Sequence, residues 1–317
     1  MFFYALKRLI YVIPIAVAVG LVCFCLVHLA PGDPMSSIAP PDAPAAVIED
    51  LRAIYGFDKP LPVQFAKWIS RAAMGDLGRS IATGRPVTDE VFKAVGNTLI
   101  LAVAATLIGF SLGCVFGGLA GYWQGSWIDK LASGLAVAGV SVPHYWLGMV
   151  LVIIFSVQLN WLPAMGAGPG GSDEWAWDIA HLRHVLLPAI TLSVIPMGFV
   201  TRTVRAVIAE ILNNEFVAAL RAKGLKDGGV FRHIVKNAAP TALAVMGLQL
   251  GYLLGGSILV ETVFSWPGTG FLLNAAIFQR DLPLLQGTIL VLALFFVMLN
   301  LLVDLVQTAI DPRIKRA

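Results

Sequence analysis

The chain has 317 residues, 58% of them hydrophobic and only 13% charged, with a formal net charge of +3. A soluble domain carries about a quarter charged residues, so the composition excludes an ordinary globular enzyme and indicates a polytopic membrane protein. The small net charge says little about partners and gives no reason to expect nucleic acid.

Six apolar segments each hold about 20 residues, the length needed to cross roughly 30 Å of hydrocarbon. In lipid such a run must satisfy its backbone internally, so each is expected to be helical. The first, 9–30, follows Lys7 and Arg8 as a secretory leader would. Its core is longer than the roughly 7–15 residues of a leader and no small-x-small site follows, so it reads as an uncleaved anchor. Residues 31–93 come next as an extracytoplasmic helical region. They contain the turn Pro31-Gly32-Asp33-Pro34, prolines at 40, 41 and 44, and helical patterns over 45–55 and 62–74 ended by Gly56 and Gly75. The second span, 97–121, carries Gly109, Gly113, Gly117 and Gly121 on one face, a spacing that lets a second helix backbone approach closely.

The third span is expected at 131–157. The outer loop 158–184 follows, with Trp161, Trp175 and Trp177 as headgroup-level anchors. His181 and His184, at i, i+3 in that loop, could hold a metal, but a loop pair beside Arg183 reads as a surface feature, and no metal is expected. The fourth span, 185–206, leads into a charged insert, 207–238. The fifth, 239–261, has a second glycine stripe (Gly247, Gly251, Gly255) with Gln249 beside it, a candidate lining residue for a transport path. The outer loop 262–283 turns sharply at Trp266-Pro267-Gly268, and its apolar stretch is too short to span, so it reads as re-entrant or surface-lying. The sixth span, 284–308, contains Asn300 and Asp304, read as interhelical contacts. A tail, 309–317, completes the chain. Cys23, Cys25 and Cys114 lie inside spans and read as small buried hydrophobes. No inverted repeat of the kind used by secondary transporters is visible.

Thirteen of the 22 Lys and Arg residues fall on the inner side if the N-terminus is cytoplasmic, and seven of the other nine sit in the long loop 31–93. Long loops translocate largely regardless of charge, so both termini are expected in the cytoplasm.

The insert is the most informative segment. Residues 210–222 form a helical pattern, and Gly224 stands where a C′ glycine would end it. Phe216, Ala219, Leu220 and Lys223 follow i, i+3, i+4, i+7 spacing. An apolar face on a cytosolic helix either lies on the membrane or fills a groove in a partner; the residues alone leave both open.

Glu215 with Ala218-Ala219 and then Gly224 resembles the EAA loop of type I ABC importers, although Phe216-Val217 departs from the plain pattern. The string 219–225, ALRAKGL in full from Ala219 with Leu220, Lys223, Gly224 and Leu225, followed by His233, Asn237-Ala238 and Pro240, is similar to the peptide and nickel permeases. Further similarity lies at Ala30 to Pro34, Tyr55 to Gln64, Gly75 to Ser80, Arg85-Pro86-Val87, Trp161-Leu162-Pro163, Glu261 to Gly270 and Asp311 to Ile314. It covers nearly the whole chain in order and resembles the first permease subunit of dipeptide and oligopeptide importers.

The resemblance implies an all-α type I permease fold with a core at 94–308, in a bacterial inner membrane. It implies partners as well: a second homologous permease, two cytosolic ATPases, and a periplasmic or lipid-anchored binding protein. Residues 215–225 would form the coupling helix, and Glu261, Trp266, Pro267, Gly268 and Arg280 would build the outer gate and meet the binding protein. The chain has no G-x-x-x-x-G-K-[ST] loop, so ATP and Mg would be bound by the partner ATPases and the chain itself would be non-catalytic. Nickel, glutathione, opines or oligosaccharides are the rival cargoes within the family. A proton-coupled transporter working through Asp304 is the rival outside it.

Overall fold

The computed structural model describes residues 2–29 and 58–310, with Pro44, Ala46 and Glu49 between them. The expectations for Pro31 to Pro34, for the helix 45–55 apart from Ala46 and Glu49, and for Asp311 to Ile314 therefore lie outside the described residues. The described elements are helical: α1 (Phe2–Leu29), α2 (Leu61–Ala73), α3 (Val87–Tyr122), α4 (Trp127–Ser141), α5 (His144–Leu151), α6 (Ile179–Leu212), α7 (Glu215–Ala222), α8 (Asp227–Val263), α9 (Thr269–Phe278) and α10 (Leu282–Ile310).

Among the described residues three of these helices are long and apolar enough to cross a membrane, or up to five spans if each of two bent pairs counts as one. The first expected span, 9–30, falls on α1, a helix of 28 residues whose apolar piece among the described residues is Ile13–Cys25. The third span differs from a continuous 131–157 helix. It breaks into α4 and a second piece, His144–Gln158, bent by 102°. Val142 takes an extended ψ of 128°, as expected for a residue pushed out of the α region by the following proline, Pro143. The last turns of the second piece, Val152–Gln158, are π-helical. α3 begins at Val87, so the boundary drawn at 94 falls inside a helix. The fifth span is α8, bent by 51° between Leu253 and Gly255.

Two compact units divide the chain at Asn97–Thr98, Trp266–Pro267 and Leu299–Asn300. In the first, α2 lies against α1. A Cβ added at Gly20 would sit 3.1 Å from the Trp68 ring, and the Phe24 and Phe65 rings meet edge-on at 5.5 Å. α2 ends where the sequence places its stop, with Gly75 at φ +86°. The loop after it is pinned by Asp281, which is fully buried. One carboxylate oxygen of Asp281 accepts from Ser80 Oγ at 2.5 Å and from the Ala82 amide at 3.1 Å. The other accepts from the Leu284 amide at 3.1 Å, capping the start of α10.

In the second unit α6 is central. The first glycine stripe performs the packing its spacing predicts. Cβ atoms added at Gly109, Gly117 and Gly121 would lie 2.8, 2.6 and 2.8 Å from the carbonyl oxygens of Ser193, Thr201 and Arg205. α4 approaches α6 in the same manner, with Gly198 against Ala136 and Gly139 against Val194. The second stripe differs at Gly255, where an added Cβ would meet nothing within 4 Å.

Candidate functional site

The charged insert folds as a helix, a glycine stop and a second helix re-entering the apolar region. Its first helix starts later than the 210–222 pattern suggested. α6 runs on to Leu212, Asn213 and Asn214 break it, and α7 begins at Glu215. Asn213 ends α6 by returning its side-chain amide to the Ala209 carbonyl at 2.9 Å. Such local bonding is the reason Asn favours helix ends over helix interiors.

The C-terminal stop is a complete Schellman motif. Gly224 has φ +81°, its amide donates to Arg221 O at 2.9 Å, and the Leu225 amide donates to Leu220 O at 3.2 Å. Leu220 and Leu225 both pack on the same apolar cluster, which supplies the hydrophobic contact that accompanies the motif. Glu215 stands in the first turn of α7 and Arg221 in the last, so both charges suit the helix dipole.

Spacing puts Phe216, Ala219, Leu220 and Lys223 on one face, and the structure divides them. Val217, which lies off that face by spacing, is 1% exposed. It joins Val204, Ile208 and Ile211 of α6 and Val230 and Ile234 of α8 in one cluster, with Leu220 at its edge. Burying such a side chain contributes about 1.5–3 kcal/mol. The helix is thus fixed to both flanking helices along Val217 and Leu220. The opposite side carries Glu215, Phe216, Ala218, Ala219 and Lys223, all exposed. Phe216, a large apolar ring, remains 38% exposed.

The residues expected at the outer gate are distributed differently from those of the insert. Glu261 is fully buried and accepts from Thr98 Oγ1 at 2.8 Å. Trp266 is 0% exposed; its amide donates to Glu261 O at 2.8 Å, and its ring lies 5.7 Å from that of Trp175. It therefore underpins the turn and presents no surface of its own. Trp175 is likewise a packing residue, meeting Trp177 and His181 as well, whereas Trp161 and Trp177 are exposed as interfacial anchors would be. Asn97 Nδ2 donates to Pro267 O at 2.9 Å, Gly268 is buried, and Arg280 is exposed with φ +52° at the end of α9. His181 and His184 turn to different partners, Asp178 and the Met165 carbonyl. The amide and ring of His181 hold the Asp178 carboxyl below the usual carboxylate range. Gln249 is 8% exposed, and its Nε2 has no hydrogen-bond partner. Asn300 and Asp304 are half-buried.

Over residues 109–316 the chain matches the family described as binding-protein-dependent transport system inner membrane component, and over 1–102 the N-terminal family of the same systems. It is 40% identical over 313 residues to the glutathione transport system permease protein GsiC of Escherichia coli (strain K12), covering 98% of each chain. The same protein of Salmonella paratyphi A (strain ATCC 9150 / SARB42) is equally similar, 40% over 313 residues and 98% of each chain. Among solved structures, a chain of the inward-facing MetNI methionine ABC transporter aligns with TM-score 0.57 and 17% identity, covering 70% of this chain and 96% of that one. That likeness speaks for the fold alone. By these matches the chain belongs to the family of inner membrane permease components of binding-protein-dependent ABC importers.

Proposed function

We propose that this chain is one of two homologous permeases of an ATP-driven importer for short peptides, glutathione included. α7 is its coupling helix, seated in a groove of a cytosolic ATPase, with a second ATPase under the other permease. The observation that carries this is the two-sided build of α7. Val217 and Leu220 fix it to α6 and α8, while Phe216, Ala219 and Lys223 face outward. A helix that only needed to be buried would not leave its phenylalanine out, and helix-in-groove recognition uses i, i+3, i+7 anchors of this kind. ATP binding moves the ATPases together, α7 follows, and the path alternates between inward and outward openings. The cycle requires ATP and substrate to bind the two states with different affinity.

The end-to-end 40% identity to glutathione permeases supports peptide-class cargo, glutathione itself being a tripeptide. Selection among such cargoes would rest on the binding protein. The buried Gln249 amide supports a lining or interface position, since leaving such a group unsatisfied costs about 1–3 kcal/mol, and cargo or the second permease would supply its partner. The open side of Gly255 suits close approach by that second permease. Glu261, Pro267, Gly268 and Arg280 are assigned to the outer gate, with Trp266 beneath the turn. Both termini and α7 are placed in the cytoplasm of a bacterial cell.

The test is mild-detergent purification at native expression, followed by uptake of labelled glutathione and dipeptides into proteoliposomes. Co-purification of a second permease and ATPases, with uptake that requires ATP and the binding protein, is the expected result. A chain that purifies alone and drives uptake from a proton gradient would replace this reading with the Asp304-based one.

A further inference from the structure

Asp129, a carboxylate at the start of α4, is 4% exposed. Arg205 of α6 reaches it with both forks of the guanidinium, Nε to Oδ1 at 2.5 Å and a terminal nitrogen to Oδ2 at 2.8 Å. The Gly125 amide donates to Oδ2 at 2.9 Å and Ser133 Oγ to Oδ1 at 3.1 Å. Gly125 has φ +81°, which lets the turn between α3 and α4 fold its amide onto the carboxylate. On the other side of Arg205, its backbone carbonyl is the atom that a Cβ at Gly121 of α3 would meet at 2.8 Å. So α3, the turn after it and α4 are all fastened to α6 at one residue.

The register shows that this fastening continues a longer contact. Gly139 meets Val194, Ala136 meets Gly198 and Asp129 meets Arg205, one antiparallel seam between α4 and α6. The rest of the seam is made by close, uncharged contact, Gly139 against Val194 and Gly198 against Ala136 and Val140. The inner end is made by a bidentate ion pair, which fixes angle as well as distance. A buried ion pair rarely improves stability over well-packed apolar residues, so stability alone does not account for charges at this place. Arg205 also lies ten residues before Glu215 on the helix that leads into α7.

We infer that Asp129 and Arg205 are positioning residues for coupling, the joint that makes the broken span α4–α5 move with α6 when α7 is driven. This rests on the reading of α7 as the coupling helix, and the test separates the two. In the complete complex in proteoliposomes, Phe216→Cys is first cross-linked to the ATPase. Failure of that cross-link in the otherwise unaltered chain overturns the coupling-helix reading. With the cross-link established, the neutral pair Asp129→Asn/Arg205→Gln removes both charges and avoids stranding one. The expected result is an assembled, cross-linkable complex in which substrate transported per ATP falls about tenfold, within the usual range of coupling between sites. Transport per ATP equal to that of the unaltered complex would show the pair to be structural only and overturn the inference. Should the neutral pair fail to assemble, Arg205→Lys decides. It keeps the charge but loses the second fork, and it is expected to assemble with a several-fold lower ratio; an unchanged ratio overturns the inference equally.

Discussion

Gly117→Ala gives the most direct test of how α3 and α6 are held together, because its neighbour provides the control. A Cβ at Gly117 would stand 2.6 Å from Thr201 O, 2.8 Å from Val204 Cβ and 3.1 Å from Thr201 Cα. Two of those three atoms are backbone and cannot swing away, so the helices must separate along the seam. A Cβ at Gly118 would meet nothing within 4 Å. Both substitutions gain the same helix propensity, about 1 kcal/mol, and that gain cancels between them. What remains is the overpacking cost, about 1–3 kcal/mol, a factor of roughly 5 or more in the folded-to-unfolded ratio. Thermal unfolding in detergent, followed by fluorescence-detected gel filtration, should show Gly117→Ala melting below the parent and Gly118→Ala at or above it. Adding Val204→Ala to Gly117→Ala removes neither close contact, because alanine keeps the Cβ at 2.8 Å and the Thr201 carbonyl stays at 2.6 Å, so the double variant should not recover. Equal melting temperatures for the two alanine variants would refute the close-packed seam.

Gly224→Ala should cost about 1–2 kcal/mol, the penalty for a left-handed residue with a Cβ. Gly224→Pro should do worse, because proline fixes a negative φ and removes the donor to Arg221 O; membrane insertion should persist and transport should be lost, as seen by paired membrane blots and uptake. Ala219→Glu and Val217→Asp should separate the two sides of α7. The first should leave the melting temperature unchanged and abolish transport, and the second should lower the melting temperature by placing a charge in the cluster that buries Val217. Asp281→Ala should free Ser80, Ala82 and the Leu284 amide together, at about 1.5–3 kcal/mol for bonds to a charged group, and should speed protease cleavage within 76–86 with little change at α7.

The membrane class, the helical content and the family were legible in the chain itself, because they depend on local properties. Apolar run length dictates helix in lipid. Glycines four apart on α3 presage a close helix partner, and Gly224 in a basic insert marks a C′ stop, since both are facts about Cβ and φ at single positions. The tertiary structure decided what depends on which way a side chain turns and what lies distant in sequence. Phe216 and Val217 are adjacent and similarly apolar, and only the cluster formed with α6 and α8 buries Val217 and leaves Phe216 out. The third span looked continuous because its apolar run is continuous, whereas Pro143 turns it by 102°. Trp266 marks a sharp turn that the resemblance assigns to the outer gate, yet Trp175 and the packing of the second unit bury it. Asp129 stands beside Lys130 at the edge of an apolar run, yet its partner is Arg205, 76 residues away. Spacing within a helix is written in the sequence, but the meeting of two helices that follow different paths is settled only when the whole chain packs.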